Sequence, residues 1–195
     1  SLLAPSRNLA GAAHPVTVAS LDSGIAYQHP DLYQNIWINQ DEIPATARSE
    51  LRDPDRDGRI TLSDLNHASN KSRGIEDLNR NGFIDGGDLL LSWSNGKDED
   101  KNGYVDDLIG WDFVNNDNDP RDDSGHGTHG AGVVIQGAPN AEVVPLRFLD
   151  SSLVGTLANA SRALDYALAT KATISSNGWV ASDFSQEWLD KLKSA

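Results

Sequence analysis

Val16-Thr17-Val18-Ala19-Ser20-Leu21-Asp22-Ser23-Gly24-Ile25 is a short β-branched and apolar run that ends on an acid and a glycine. Such a run suits a buried strand that delivers a side chain at its carboxyl end, which puts Asp22 at the strand tip. About a hundred residues on, Asp123-Ser124-Gly125-His126-Gly127-Thr128-His129-Gly130-Ala131-Gly132 opens a Gly- and Ala-rich segment predicted to be helical over 126–136. Beyond it, Ala141 to Phe148 reads as a strand. Leu157 to Thr170 reads as a helix on the spacing of Leu157, Ala160, Leu164, Ala167 and Leu168. A short strand at Ala172 to Ser176 and a helix at Phe184 to Lys193 follow. Strands alternating with helices predict an α/β fold whose parallel sheet is built from right-handed βαβ units.

The 195 residues suffice for one domain, since a chain of this size buries roughly 70% of its unfolded surface. An apolar content of 38% and a mean hydropathy of −0.47 are ordinary for a soluble chain. No apolar run approaches the roughly 20 residues that span a bilayer, so no membrane is expected as a partner. The start, Ser1-Leu2-Leu3-Ala4-Pro5-Ser6-Arg7, has neither an initiator Met nor a signal-peptide pattern and reads as processed or clipped. Cysteine is absent, which excludes disulfides and thiolate zinc sites and leaves the redox compartment open. The net charge of −13 is local: residues 50–123 hold 19 of the 29 acids against 9 Lys and Arg. A polyanionic surface repels phosphate backbones, which excludes nucleic acid, and it attracts cations.

From Asp41 to Asp123 the composition turns polar and Gly/Asn/Asp-rich, with apolar residues too sparse for a large core, and residues 41–123 read as an insertion. Within it, Asp53, Asp55, Asp57, Gly58, Ile60 and Asp64 occupy positions 1, 3, 5, 6, 8 and 12 of an EF-hand-type calcium loop. Asp77, Asn79, Asn81, Gly82, Ile84 and Asp88 repeat the pattern; Asp98, Asp100, Asn102, Gly103 and Val105 do so again without an acid at position 12. Ca²⁺ wants six to eight oxygens, so alternate side chains wrap the ion, Gly permits the sharp turn and the position-8 aliphatic anchors the loop. Arg59, Phe83 and Tyr104 at position 7 supply backbone carbonyls on this reading. The alternative is a set of solvated acidic turns with no metal. The first two loops resemble the paired calcium loops of dockerin modules, which keeps a protein-binding role open.

Ser20 to Leu32 (S-L-D-S-G-I-A-Y-Q-H-P-D-L) and Asp122 to Gly132 (D-D-S-G-H-G-T-H-G-A-G) together resemble the subtilisin-like serine peptidases. The stretch Asp98 to Pro120 is similar to the calcium-loop insertion of a bacterial subgroup of that family, and similarity continues through Ala138 to Ser152. The resemblance covers nearly all of residues 1–195 but only the first half of the family's catalytic domain. It implies a partial subtilisin-like three-layer fold with a parallel sheet and a long acidic calcium-loop insertion. It makes Asp22 the triad acid and His126 the general base, and leaves His129 as a helix-packing residue. The physics agrees, because a carboxylate on the far imidazole nitrogen fixes the tautomer and stabilises the imidazolium.

Ser151 to Gly155 lies where the family's substrate-flanking strand runs, which implies Ser152 and Gly155 as substrate contacts; an ordinary strand-to-helix turn is the other reading. Ile174 to Val180 resembles the family's N-N-S-W-G strand, which implies the same for Asn177 and Gly178. Gly178 stands where Ser is usual, Val180 where Gly is, and Gly130 where Val is. The segment between His126 and Ala138 omits the loop that completes a calcium site in subtilisins, which leaves Asp31, the matching ligand, without it. No Ser occurs in a G-T-S-M-A context and no Asn in an A-A-G-N context. The expectation is therefore a serine endopeptidase present as a partial chain, inactive alone, with Ca²⁺ as cofactor and a polypeptide as substrate. Its missing C-terminal half, or a protein partner, completes it. An extracellular location follows from the family. The alternative is a non-catalytic calcium-binding pseudoenzyme or interaction module. In either case the last strand leaves an open sheet edge.

Overall fold

Thr17–Asp22 forms β1, an inner strand of a four-stranded parallel sheet, with β3 (Glu142–Arg147) on one side of it, β4 (Ile174–Asn177) on the other, and β2 (Trp111–Asp112) beyond β3. This computed structural model describes residues 15–195; the start at Ser1–Arg7 lies outside the described residues. In chain order the other elements are α1 (Ala45–Glu50), α2 (Leu62–Leu65), α3 (Gly86–Trp93), β2 (Trp111–Asp112), α4 (His126–Gly137), β3 (Glu142–Arg147), α5 (Leu157–Ala169), β4 (Ile174–Asn177) and α6 (Gln186–Ser194). The α/β architecture, its parallel sheet and the elements after residue 125 follow the sequence pattern. No helix among the described residues is long and apolar enough to cross a membrane.

Strand alternation divides the core. Ala19 and Leu21 of β1, with Val144 and Leu146 of β3, face Ala160, Ala163, Leu164 and Ala167 of α5. Thr156 caps that helix by accepting from Asn159 N–H at 3.1 Å. Val143 points to the other face, where it meets Ala131 of α4 and a second apolar cluster. Asp22 shares the α4 side, two residues along the strand from Ser20, so the strand's period aims it at that helix.

The expectation that 41–123 lacks a large core fails. Ile43, Leu51, Ile60, Leu62, Leu65, Ile75, Leu89, Trp93, Leu108 and Ile109 are buried in one cluster with Ile25, Tyr27 and Ile38. Each comes from a loop or a helix of eight residues or fewer, so the apolar positions are scattered in sequence yet converge in space. The end of the stretch also rejoins the sheet, because Trp111 and Asp112 pair with Leu146 and Arg147. Where the excursion leaves β1 and returns before α4, its two ends are stitched together: Ile25 N–H donates to Pro120 O at 3.1 Å and Asp122 N–H to Ile25 O at 3.4 Å.

β4 is a sheet edge, and Ile174 on it is half exposed. In α4, a Cβ at Gly130 would meet open space. Gly130→Ala is accordingly expected to raise stability by about 0.5–1 kcal/mol by reducing the freedom of the unfolded chain. A higher urea midpoint checks it; an unchanged one would show a need for glycine at that position.

Candidate functional site

Asp22 ends β1 with 4% of its surface exposed, and His126 is the first residue of α4. Nδ1 of His126 lies 2.7 Å from Oδ1 of Asp22. That oxygen also accepts from Ser23 N–H at 2.7 Å, which fixes the carboxylate's orientation. The close approach depends on Gly127: a Cβ there would stand 2.1 Å from Gly24 O and 3.1 Å from Asp22 Cβ. With its Nδ1–H given to Asp22, the ring presents Nε2 on its far side as a proton acceptor, and the carboxylate stabilises the charge that proton brings. His129 is exposed, contrary to its expected packing role. The buried line of α4 runs through Gly127 and Ala131, and residue 129 is turned away from it at 100° per residue.

His126 forms part of the wall of a cleft of about 560 Å³ between the segments 148–157 and 178–183. Gly155 and Gly178 line this cleft, whereas Ser152 and Asn177 lie outside the lining. Ser152 N–H donates to Asp150 Oδ1 at 2.9 Å and the Asn177 amide turns back to Ser175 Oγ at 3.1 Å. Gly178 also borders the acid and base: a Cβ there would be 3.2 Å from Asp22 Oδ2 and 3.5 Å from His126 Cε1. Val180 borders the cleft and is 94% exposed.

The three acidic loops share one backbone pattern. In each, the position-6 glycine donates its N–H to the position-1 carboxylate at 2.9 Å: Gly58 to Asp53, Gly82 to Asp77, Gly103 to Asp98. The position-5 N–H of Asp57, Asn81 and Asn102 reaches the side-chain oxygen of Asp55, Asn79 and Asp100. Those glycines have φ of 86°, 100° and 92°, and nothing lies within 4 Å of a Cβ, so conformation and not crowding requires them. Position 7 does the anchoring. Arg59 pairs with Glu142 of β3 at 2.7 Å, Phe83 stacks on Tyr33 at 4.0 Å and Tyr104 packs edge-on against Trp111 and Tyr166. Ile60 is buried at position 8, but Val105 is exposed and anchors nothing.

Carboxylate oxygens of Asp53, Asp55 and Asp57 come within 4.8 Å of one another. Asp64 caps α2 by accepting from Thr61 N–H at 2.8 Å and Thr61 Oγ–H at 2.7 Å. The second loop is arranged otherwise. Asp88 accepts from the N–H groups of Leu78, Asn79 and Asp85, and the amides of Asn79 and Asn81 donate to Asp85. Asp31, outside the loops, is exposed.

Residues 13–194 match the model of the subtilase family. The chain belongs to the subtilase family. Among relatives, it is 26% identical over 178 residues to subtilisin-like protease 1 of Plasmodium berghei, covering 86% of this chain and 22% of that protein. It is 41% identical over 68 residues to thermitase of Thermoactinomyces vulgaris, covering 30% of this chain and 24% of that protein. A thermophilic serine proteinase of a Bacillus species is 40% identical over 77 residues, covering 34% and 19%. The subtilase chain thus spans about a fifth of the length of these curated relatives, whose names are those of proteases.

Sequence reasoning missed two residues of this subtilase chain. Glu42, buried at 1% exposure, brings its carboxylate within 4.8 Å of those of Asp98 and Asp100. It places a third carboxylate beside a loop that has no acid at position 12. Burial, with Glu99 beside it, pushes its carboxyl up to about 9. Only the missing position-12 acid could have signalled it, because nothing local marks a residue so far upstream. Asp107 is also buried; burial pushes its carboxyl up to about 7 even though Tyr166 Oη–H donates to it at 2.5 Å and the amides of Asn102 and Asn39 donate at 2.9 and 3.0 Å. It joins the third loop to α5.

Proposed function

We propose that this chain supplies the acid and base of a calcium-stabilised serine endopeptidase. The observation that carries the reading is the 2.7 Å contact between Asp22 and His126 at the wall of the cleft. In the proposed reaction, Nε2 of His126 takes the proton of a serine hydroxyl as that oxygen bonds to the peptide carbon. The imidazolium, held by Asp22, then gives the proton to the leaving amine as the C–N bond breaks, and a water repeats the sequence to release the acid product. The serine and the oxyanion donor lie in sequence other than these 195 residues, since no G-T-S-M-A or A-A-G-N segment occurs here. The chain alone is therefore expected not to react with a fluorophosphonate serine-hydrolase probe. Covalent labelling of it would overturn that part of the reading.

The donor sets fit a hard cation. Three carboxylates gathered within 4.8 Å at Asp53, Asp55 and Asp57 repel one another without a counter-charge, and a cation among Glu42, Asp98 and Asp100 would displace the proton that burial keeps on Glu42. Those residues, with Asn102 and backbone carbonyls at Arg59 and Tyr104, would hold Ca²⁺. The second loop, with Asp77, Asn79, Asn81, Phe83 and Asp88, fits less well, because Asp88 is committed to backbone N–H groups. Bound calcium would supply charge neutralisation and loop order. An extracellular site of action belongs to the same proposal.

A second reading, a calcium-binding relative without catalysis, rests on Val180 bordering the cleft and on Gly178, which offers Asp22 no hydroxyl. Downstream gene sequence separates the two: an in-frame A-A-G-N and G-T-S segment favours the peptidase, and a stop codon after Ala195 the second reading.

A further inference from the structure

Asp122 is not part of the acid and base pair, yet both of the segments carrying that pair hang on it. Its Oδ1 accepts from Ser23 Oγ–H at 2.8 Å, from Ser124 N–H at 3.0 Å, from Gly125 N–H at 2.9 Å and from Ser124 Oγ–H at 3.3 Å. Its Oδ2 accepts from Thr128 N–H at 2.9 Å and Thr128 Oγ–H at 2.5 Å. α4 begins behind Gly125, which has no side chain to cap the first turn, so its free N–H groups need acceptors from elsewhere. Asp122 provides one through Thr128, and its charge sits at the favourable end of the helix. Ser23, the neighbour of Asp22, provides another: its hydroxyl hydrogen goes to Asp122, which leaves its oxygen to accept Gly127 N–H at 3.0 Å.

Every partner of Asp122 is a donor. An ionised carboxylate can accept on both oxygens, whereas the isosteric amide turns an NH₂ toward one set of donors and breaks it. Burial opposes ionisation of this group, but the hydrogen bonds from Thr128, Ser124 and Gly125 hold its carboxyl below the usual carboxylate range.

We propose that Asp122 is a positioning residue, locking the start of α4 to the segment after β1 and so setting the contact between His126 Nδ1 and Asp22 Oδ1. The inference rests on the reading of Asp22 and His126 as acid and base. Long-range ¹H–¹⁵N spectra of the chain, recorded where the imidazole is neutral, read which ring nitrogen of His126 carries the proton. The Nδ1–H form is expected to dominate, and Asp122→Asn is expected to lower the ratio of Nδ1–H to Nε2–H by roughly tenfold with circular dichroism unchanged. A purely structural role would alter melting without altering that ratio in the folded variant. A folded Asp122→Asn protein with the original ratio overturns the proposal. Should that variant not fold, Ser23→Ala, which removes only the hydroxyl between Asp122 and Gly127, serves in its place. A shift in the same direction supports the proposal and an unchanged ratio overturns it. Asp22→Asn keeps the two ideas apart: no change in the ratio there defeats the acid and base reading itself. A change at Asp22 with none at Asp122 or Ser23 defeats only the positioning role.

Discussion

Joined to a polypeptide carrying the family's serine and oxyanion segments, the chain is expected to hydrolyse peptide bonds, and His126→Ala to lower kcat by roughly 10⁶-fold. Asp22→Asn should cost less, about 10⁴-fold, because the acid acts only through the base. Removing the base leaves the serine proton with no acceptor, so the whole nucleophilic route is lost. Removing the charge of the acid leaves an imidazole that can still bind a proton but in a poorer tautomer. KM should change little in both variants, since neither Asp22 nor His126 spans the cleft along which a substrate backbone would lie. Steady-state kinetics on a peptide amide check the pattern. A folded His126→Ala protein with undiminished kcat would remove the basis for the assignment.

Calcium is expected to have the second large effect. A ligand bound only by the folded state adds about 4 kcal/mol at a free concentration 1,000 times its Kd. For a chain of this size each kcal/mol raises Tm by about 2–4 °C, so one site gives roughly 8–16 °C between EGTA and millimolar Ca²⁺. Asp53→Ala and Glu42→Gln should each remove a separate part of that shift, because their carboxylates belong to different groups. The prediction at Glu42 is the sharper of the two: it has no loop position of its own, and a full calcium response in Glu42→Gln would show that the third loop does not use it. Identical melting curves with and without calcium would refute structural calcium altogether.

Most of the sheet and its covering helices are legible because β1 and β3 read as short, continuous apolar runs buried on both faces and α5 carries a period of 3.6. The excursion is not. Its helices run from four to eight residues, too short for periodicity to stand out, and β2 has only two residues. Asp22 and His126 are readable as motif residues; Glu42 is not, and Asp122 falls inside the second motif without its role showing. Glu42 reaches its cluster through folding alone. Asp122 opens the run D-D-S-G-H-G-T-H, but its part in the site does not show until the donors around it are seen. His129 shows the converse error: a histidine in a motif helix invites a packing role, but helical phase turns it to solvent.

The stitching of Ile25 to Pro120 and Asp122 makes the residues between them a loop on a closed stem. In a flexible loop extra length would be cheap, about 0.6 kcal/mol per doubling, but this one is packed: it carries β2 and shares a core with Ala131 of α4. The geometry at its base is therefore tied to what lies between, through the pairing of Asp112 with Arg147 and of Arg59 with Glu142. The acidic excursion is a wall of the domain and not an appendage, so a change in its loops is expected to reach the acid and base through the core it shares with α4.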